Sequence, residues 1–130
     1  MSYCSTTHLN YEYGSVNVAA WADLDGDANA TKIADCIAWH ISNADARIDD
    51  RLRRSDLSFG LPAALSDDTV PPTIRKIAVQ LAGYGLSKGR GNRDYNEKGQ
   101  PFSKYWMDYQ DALLTLEQVA TGLLKLENQP

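Results

Sequence analysis

Apolar residues recur at every third or fourth position along one stretch of this chain, between residues 33 and 52. This spacing places them on one face of an α-helix, and it predicts an amphipathic helix that begins near residue 30 or 31 and ends near residue 53. Because such a face is stable only when other elements cover it, the pattern implies a helical core. The face consists of Ile33, Ile37, Ile41, Ala44, Ile48 and Leu52.

Two later segments have the same period. Pro71 and Pro72 can open a helix that continues to about residue 86, since proline at the first helical position loses no needed donor. Gly85 lies on the apolar face of this helix and predicts a close helix crossing. The last helix is expected over residues 102–121, with Gly122 as its stop. The two faces consist of Ile74, Ile77, Ala78 and Leu81, and of Phe102, Trp106, Tyr109, Leu113, Leu116, Ala120 and Leu123.

The first residues suit a short helix, with Ser5 or Thr6 as its N-cap and Gly14 just past its end at Tyr13. Residues 15–21 have weak helix propensity because they include two valines and an asparagine, and whether they form a helix stays open at this point.

Loops are expected over residues 55–69 and 88–101, which contain glycine, proline and polar residues without a helical period. No useful length alternates with a period of two. The prediction is an all-α fold, a small helical bundle of three main helices plus a short N-terminal helix, with extended loops. Residues 1–122 form the domain, and residues 123–130 form a C-terminal tail.

Length and composition are those of one globular domain, with 130 residues, of which 43% are hydrophobic and 23% charged. The net charge of -4 argues against binding to a nucleic-acid backbone by the molecule as a whole. There is no run of the roughly 20 apolar residues that span a bilayer, and the start lacks the features of a signal peptide. We therefore expect a soluble protein made in a cytoplasm, with no membrane partner.

Catalytic patterns are missing from the sequence, so we expect no enzymatic activity and no cofactor. A nucleophile needs a neighbouring base, and only two histidines occur. His40 lies on the shoulder of the long apolar face and is expected to be a partly buried packing residue, whereas His8 has no evident partner. Cys4 and Cys36 form neither a disulfide framework nor a metal spacing, and we expect a buried thiol at Cys36 and an unconstrained one at Cys4.

An acidic run precedes the long helix, with side-chain oxygens at alternate positions that suit a hard cation such as calcium. An EF-hand counted from its first residue would place Ala28 where glycine is needed and Ala34 where a glutamate closes the shell. The alternatives are a small calcium-binding or regulatory module and a turn that caps the helix. The candidate ligands are Asp23, Asp25, Asp27 and Asn29.

Several residues are candidates for contacts with other subunits. Trp39 points away from the apolar face of its own helix, and Met107 and Leu114 leave the main face of the last helix. The arginines near the end of the long helix form either a solvated face or a contact with an acidic neighbour or a second copy of this chain. The tail leucines suit burial either on another chain or on the core of their own chain. The arginines are Arg47, Arg51, Arg53 and Arg54, of which all but Arg53 are interface candidates, and the leucines are Leu123, Leu124 and Leu126.

Four stretches in this order resemble the head-tail connector family of tailed phages, the adaptor or neck proteins, including the Mu-type members. They are the opening residues 3–14 with the form Tyr-x(5)-Leu-x(3)-Tyr-Gly, and residues 33–52, 70–82 and 109–122. The residues after Leu52 depart from the family by keeping only Leu61-Pro62 of its Tyr-x-Leu-Pro-Leu ending, and the loop 88–101 is longer than usual.

The resemblance implies a helical structural protein of the virion without an enzymatic step. Its subunits would form a homo-oligomeric ring beneath the portal protein and above a tail or stopper protein. DNA would pass through the ring without specific binding.

Overall fold

The computed structural model describes residues 2–53, 70–89 and 104–122. Within these ranges the chain forms helices and no strand, which confirms the all-α prediction. The helices are α1 (Thr6–Tyr13), α2 (Ser15–Ala22), α3 (Ala30–Arg53), α4 (Pro72–Gly89) and α5 (Lys104–Thr121). The predicted loop at 55–69, most of the one at 88–101 and the tail at 123–130 lie outside the described residues.

The boundaries of α3 agree with the periodicity of the sequence, and its buried residues are five of the six predicted ones, since Ile33 is only half-buried. Helix α4 continues to Gly89, beyond the predicted end at residue 86 and into the start of the predicted loop. Residues 15–21, which were undecided from propensity, lie in α2. Burial of Val18 and Trp21 in the core explains why this weak sequence is helical.

A single glycine forms the corner between α1 and α2. Gly14 has φ +88° and ψ 137°, a conformation that residues with a Cβ rarely adopt. Its N–H donates to the carbonyl of Asn10 at 2.9 Å, and its own carbonyl accepts from Val18 at 3.0 Å. The same residue therefore ends one helix and begins the next.

Helix α4 is the centre of the bundle and contacts each of the other four helices. It is buried well beyond the single face that periodicity predicted, because Val79, Ala82, Gly83 and Leu86 are also buried. His40 of α3 meets Gly85 near the end of α4, while the far end of α3 and the start of α4 are bridged through Tyr3. These two helices therefore run antiparallel.

Glycines allow two helices to approach α4 closely. A Cβ at Gly85 would lie 2.6 Å from Nδ1 of His40, which confirms the predicted close crossing. His40 is half-buried there, as expected, and burial lowers its pKa. A methyl group at Gly83 would overlap the ring of Tyr13. Tyr13 in turn lies edge-on to Trp21 and Tyr105, with ring centroids 5.7 and 5.5 Å apart.

The prediction for the two cysteines is wrong. Cys4 is buried, with 3% of its surface exposed, whereas Cys36 is only half-buried. The reason is the neighbouring residue Tyr3, whose N–H donates to Oδ1 of Asp45 at 3.0 Å and whose hydroxyl donates to Asp49. These bonds hold the segment before α1 against α3, and burial raises the pKa of the Cys4 thiol to about 12.

His8, for which the sequence showed no partner, also differs from expectation. Its Nδ1 accepts a hydrogen bond of 3.0 Å from the backbone N–H of Ser5. Ser5 is the N-cap of α1 and His8 is the third residue of the helix, so the imidazole takes the place that glutamate or glutamine has in a capping box. His8 therefore has a local structural role at the start of α1.

Candidate interaction surfaces

Arg47 of α3 contacts the aromatic pair that joins α4 to α5. Its Nη1 donates to the hydroxyl of Tyr109 at 2.9 Å, and its guanidinium carbon lies 5.6 Å from the centre of the same ring. The ring of Tyr109 stacks on Tyr84 of α4, with centroids 4.1 Å apart. Tyr109 of α5 therefore contacts both α3 and α4.

Arg51 forms a two-pronged ion pair with Glu117 of α5, with distances of 2.7 Å from Nε and 2.6 Å from Nη2 to the two carboxylate oxygens. The guanidinium lowers the pKa of Glu117, mainly through this hydrogen bond. Arg47 and Arg51 therefore each have a partner within the chain, and their contact with another subunit stays a prediction. Arg54 lies outside the described residues. Since Arg47 and Arg51 meet successive parts of α5, α3 and α5 run in the same direction.

Trp39 is 64% exposed on α3, which is the exposure that its predicted role at an interface requires. Its indole lies edge-on to the ring of the adjacent His40, with centroids 5.1 Å apart.

Met107 and Leu114 are also exposed, at 53% and 57%, on the outer side of α5. They are seven residues apart and therefore lie on the same face, two turns apart. They border an open depression of about 410 Å³, which is also lined by Trp106, Asp108, Gln110 and Asp111. The predicted contact residues of α5 thus form one surface.

Other exposed apolar residues lie on α1 and α2 and in the turn that follows. Tyr11 is 84% and Val16 is 80% exposed, and Leu24 is 53% exposed. The sequence analysis missed them, although Leu9 and Tyr13 bury one face of α1 and place Tyr11 on the other side of this short helix. The signal was available but weak, because α1 has only eight residues.

Tyr11 borders a groove of about 320 Å³ between α1 and α4. Val70, Pro72 and Val79 supply apolar surface, and the side chain of Gln80 also lines the groove. The charged residues around it are Glu12, Arg75 and Lys76, and His8 completes the α1 side.

The acidic turn before α3 is organised by hydrogen bonds to its own backbone and to one lysine. Asp23 accepts from the N–H of Ala28 at 3.1 Å, and Asn29 caps α3 by accepting from the N–H of Lys32 at 3.1 Å. The ammonium group of Lys32 lies 3.0 Å from a carboxylate oxygen of both Asp25 and Asp27. The structure thus shows the capping turn, in which Lys32 pairs with two of the four candidate calcium ligands.

Residues 2–53, 70–89 and 104–122 contain no group of three or more histidine, cysteine or acidic residues placed to hold a metal ion. No helix in these ranges is both long enough and apolar enough to cross a membrane.

The family model described as Bacteriophage Mu, Gp36 matches residues 3–129, which is nearly the whole chain. A search of curated proteins found no match.

Proposed function

Because the chain belongs to the Bacteriophage Mu Gp36 family, we propose that this phage protein is a non-enzymatic virion component of the head-tail neck. It is synthesised in the host cytoplasm and assembles as a ring that joins the portal protein to a tail or stopper protein. The ring continues the DNA channel and does not bind DNA specifically, in keeping with the net charge of -4.

The observation that carries this proposal is the exposure of large apolar side chains outside a core that is already well filled. Leu9, Ile48 and Ile74 are completely buried, so the bundle does not need Trp39, Met107 or Leu114 for its own core. Large apolar and aromatic side chains at the surface are typical anchors of protein interfaces. Their positions on two different helices suit a subunit that contacts more than one neighbour.

The links between helices support a role as a rigid building block. Arg47 and Arg51 connect α3 to α5, and Tyr84 stacks on Tyr109 between α4 and α5. The exposed residues of α3 and α5 are therefore held in fixed relative positions, which reduces the entropy lost when a ring forms.

Replacing Trp39 with glutamate tests the proposal. Because the indole is 64% exposed, the variant should keep the melting temperature of the wild type, but phage that carry it should accumulate unjoined heads and tails. The measurements are thermal unfolding of the purified protein and electron microscopy of lysates.

Asn43→Glu is the matched control, since it adds the same charge one helical turn away on an exposed part of α3. It should yield normal particles. A much lower melting temperature of the Trp39→Glu protein would show that the indole belongs to the core of the subunit. Normal particles from phage that carry this variant would contradict a role of Trp39 in assembly.

A further inference from the structure

The groove between α1 and α4 has the composition of a site for a short peptide segment. Val70 and Val79 are each only 6% exposed, whereas Tyr11 on the opposite side is 84% exposed. The groove encloses about 320 Å³, within the size range of sites that hold small ligands or a few side chains. An apolar side chain placed there would contact the valines and cover the ring of Tyr11.

Gln80 supplies a polar side chain to the lining of this apolar groove. It is 6% exposed. An amide has both donors and an acceptor, and a peptide backbone offers the matching carbonyl and N–H. The groove is therefore suited to an extended segment with apolar side chains.

Residues 123–130 have the sequence that this groove requires. Leu123, Leu124 and Leu126 supply apolar side chains within four positions. Glu127 has the charge that complements Arg75 and Lys76 beside the groove, and Lys125 complements Glu12. Both the apolar and the charged parts of the groove thus have a counterpart in this segment.

Helix α5 ends at the end of the bundle where the groove lies. Helix α5 ends at Thr121, about one turn beyond Glu117, which binds Arg51 near the end of α3. The same end of α3 binds Tyr3 through Asp49, and the carbonyl of Tyr3 accepts a hydrogen bond of 3.3 Å from Arg75, which lines the groove. The end of α5 and the groove are therefore at the same end of the molecule.

We propose that the groove between α1 and α4 binds residues 123–130 of a second copy of this chain. The choice of a second copy rests on the proposed function as a ring. A ring of identical subunits requires two different surfaces on each subunit, one of which binds the other on the next copy. A groove and a separate segment are such a pair.

Peptide binding tests the groove directly. A fluorescein-labelled peptide of residues 121–130 is titrated with the full chain carrying Leu123→Ser, Leu124→Ser and Leu126→Ser, whose own segment no longer competes. Fluorescence anisotropy should show saturable binding, weakened at least tenfold by Tyr11→Ala. Val16→Ala is the matched control, because Val16 is equally exposed but does not line the groove, and it should leave the affinity unchanged. No saturable binding, or an equal loss with Val16→Ala, would overturn the proposal.

The melting temperature of the triple-serine variant at low protein concentration distinguishes a second copy from the same chain. A segment that binds a neighbour predicts the wild-type melting temperature, whereas a marked decrease shows that the segment packs on its own chain and overturns the proposal. If the peptide binds the groove but this protein is absent from phage necks, the proposed function is refuted and the assignment of the groove is kept. Normal ring assembly by the triple-serine variant would refute the assignment while keeping the function.

Discussion

Tyr3 ties the start of the chain to the rest of the molecule at three points. Its N–H, its hydroxyl and its carbonyl bind Asp45, Asp49 and Arg75, which lie 42, 46 and 72 residues further along the chain. Burial raises the pKa of the Tyr3 hydroxyl, so this group remains protonated and donates its hydrogen bond. No local pattern contains partners so distant, and the burial of Cys4 beside Tyr3 was for this reason not predictable from the sequence.

The two thiols should differ in reactivity. Burial raises the pKa of Cys4 to about 12 from 9.0, which lowers its thiolate fraction about a thousandfold relative to a free thiol. Cys36 is half-buried, so an aromatic disulfide reagent at pH 8 should modify it well before Cys4 in the native protein.

Absorbance of the released thiolate measures this difference, and Cys36→Ser identifies the thiol that reacts. The variant should show almost no fast reaction until denaturant is added. A fast reaction of native Cys36→Ser would mean that the segment before α1 is open to solvent.

At the scale of helices, the sequence was most informative where one apolar face extends over many turns. Helix α3 has such a face, and its bounds were predicted within a residue. Helix α4 was predicted with one buried face, but Val79 and Gly83 on its other side are buried by α1, whose position depends on the corner at Gly14. Helix α2 lacks both propensity and length, so its burial against α1, α3 and α4 explains why it forms.

Gly83→Ala tests the contact between α1 and α4. Helix propensity alone would make alanine stabilising by about 1 kcal/mol, whereas overlap with the ring of Tyr13 should destabilise the fold by about 1–3 kcal/mol. The free energy of unfolding in urea, followed by circular dichroism, gives the sign.

Gly89→Ala is the control, because a Cβ there would be 3.7 Å from Nε2 of His40, an ordinary contact distance. Its stability should be unchanged or slightly higher. A Gly83→Ala protein as stable as the control would show that α1 does not pack on α4 as described.

At the scale of the whole molecule, α4 joins four helices into one body that displays apolar residues on several sides. The sequence located Trp39, Met107 and Leu114, because each lies off the apolar face of a long helix. It did not locate the groove, because Tyr11, Val70 and Gln80 come together only through the packing of α1 on α4. The arginines were located as a group, but their partners Tyr109 and Glu117 lie more than 60 residues away, at separations of 62 and 66.

Electron cryomicroscopy of the neck in intact phage particles tests the central claim, that this chain is a ring-forming adaptor between portal and tail. The account predicts a ring of copies directly beneath the portal, with density that fits α3, α4 and α5 and with an open channel along the axis. Particles in which the chain is absent, or in which it occupies the tail tube or the capsid instead, would contradict it.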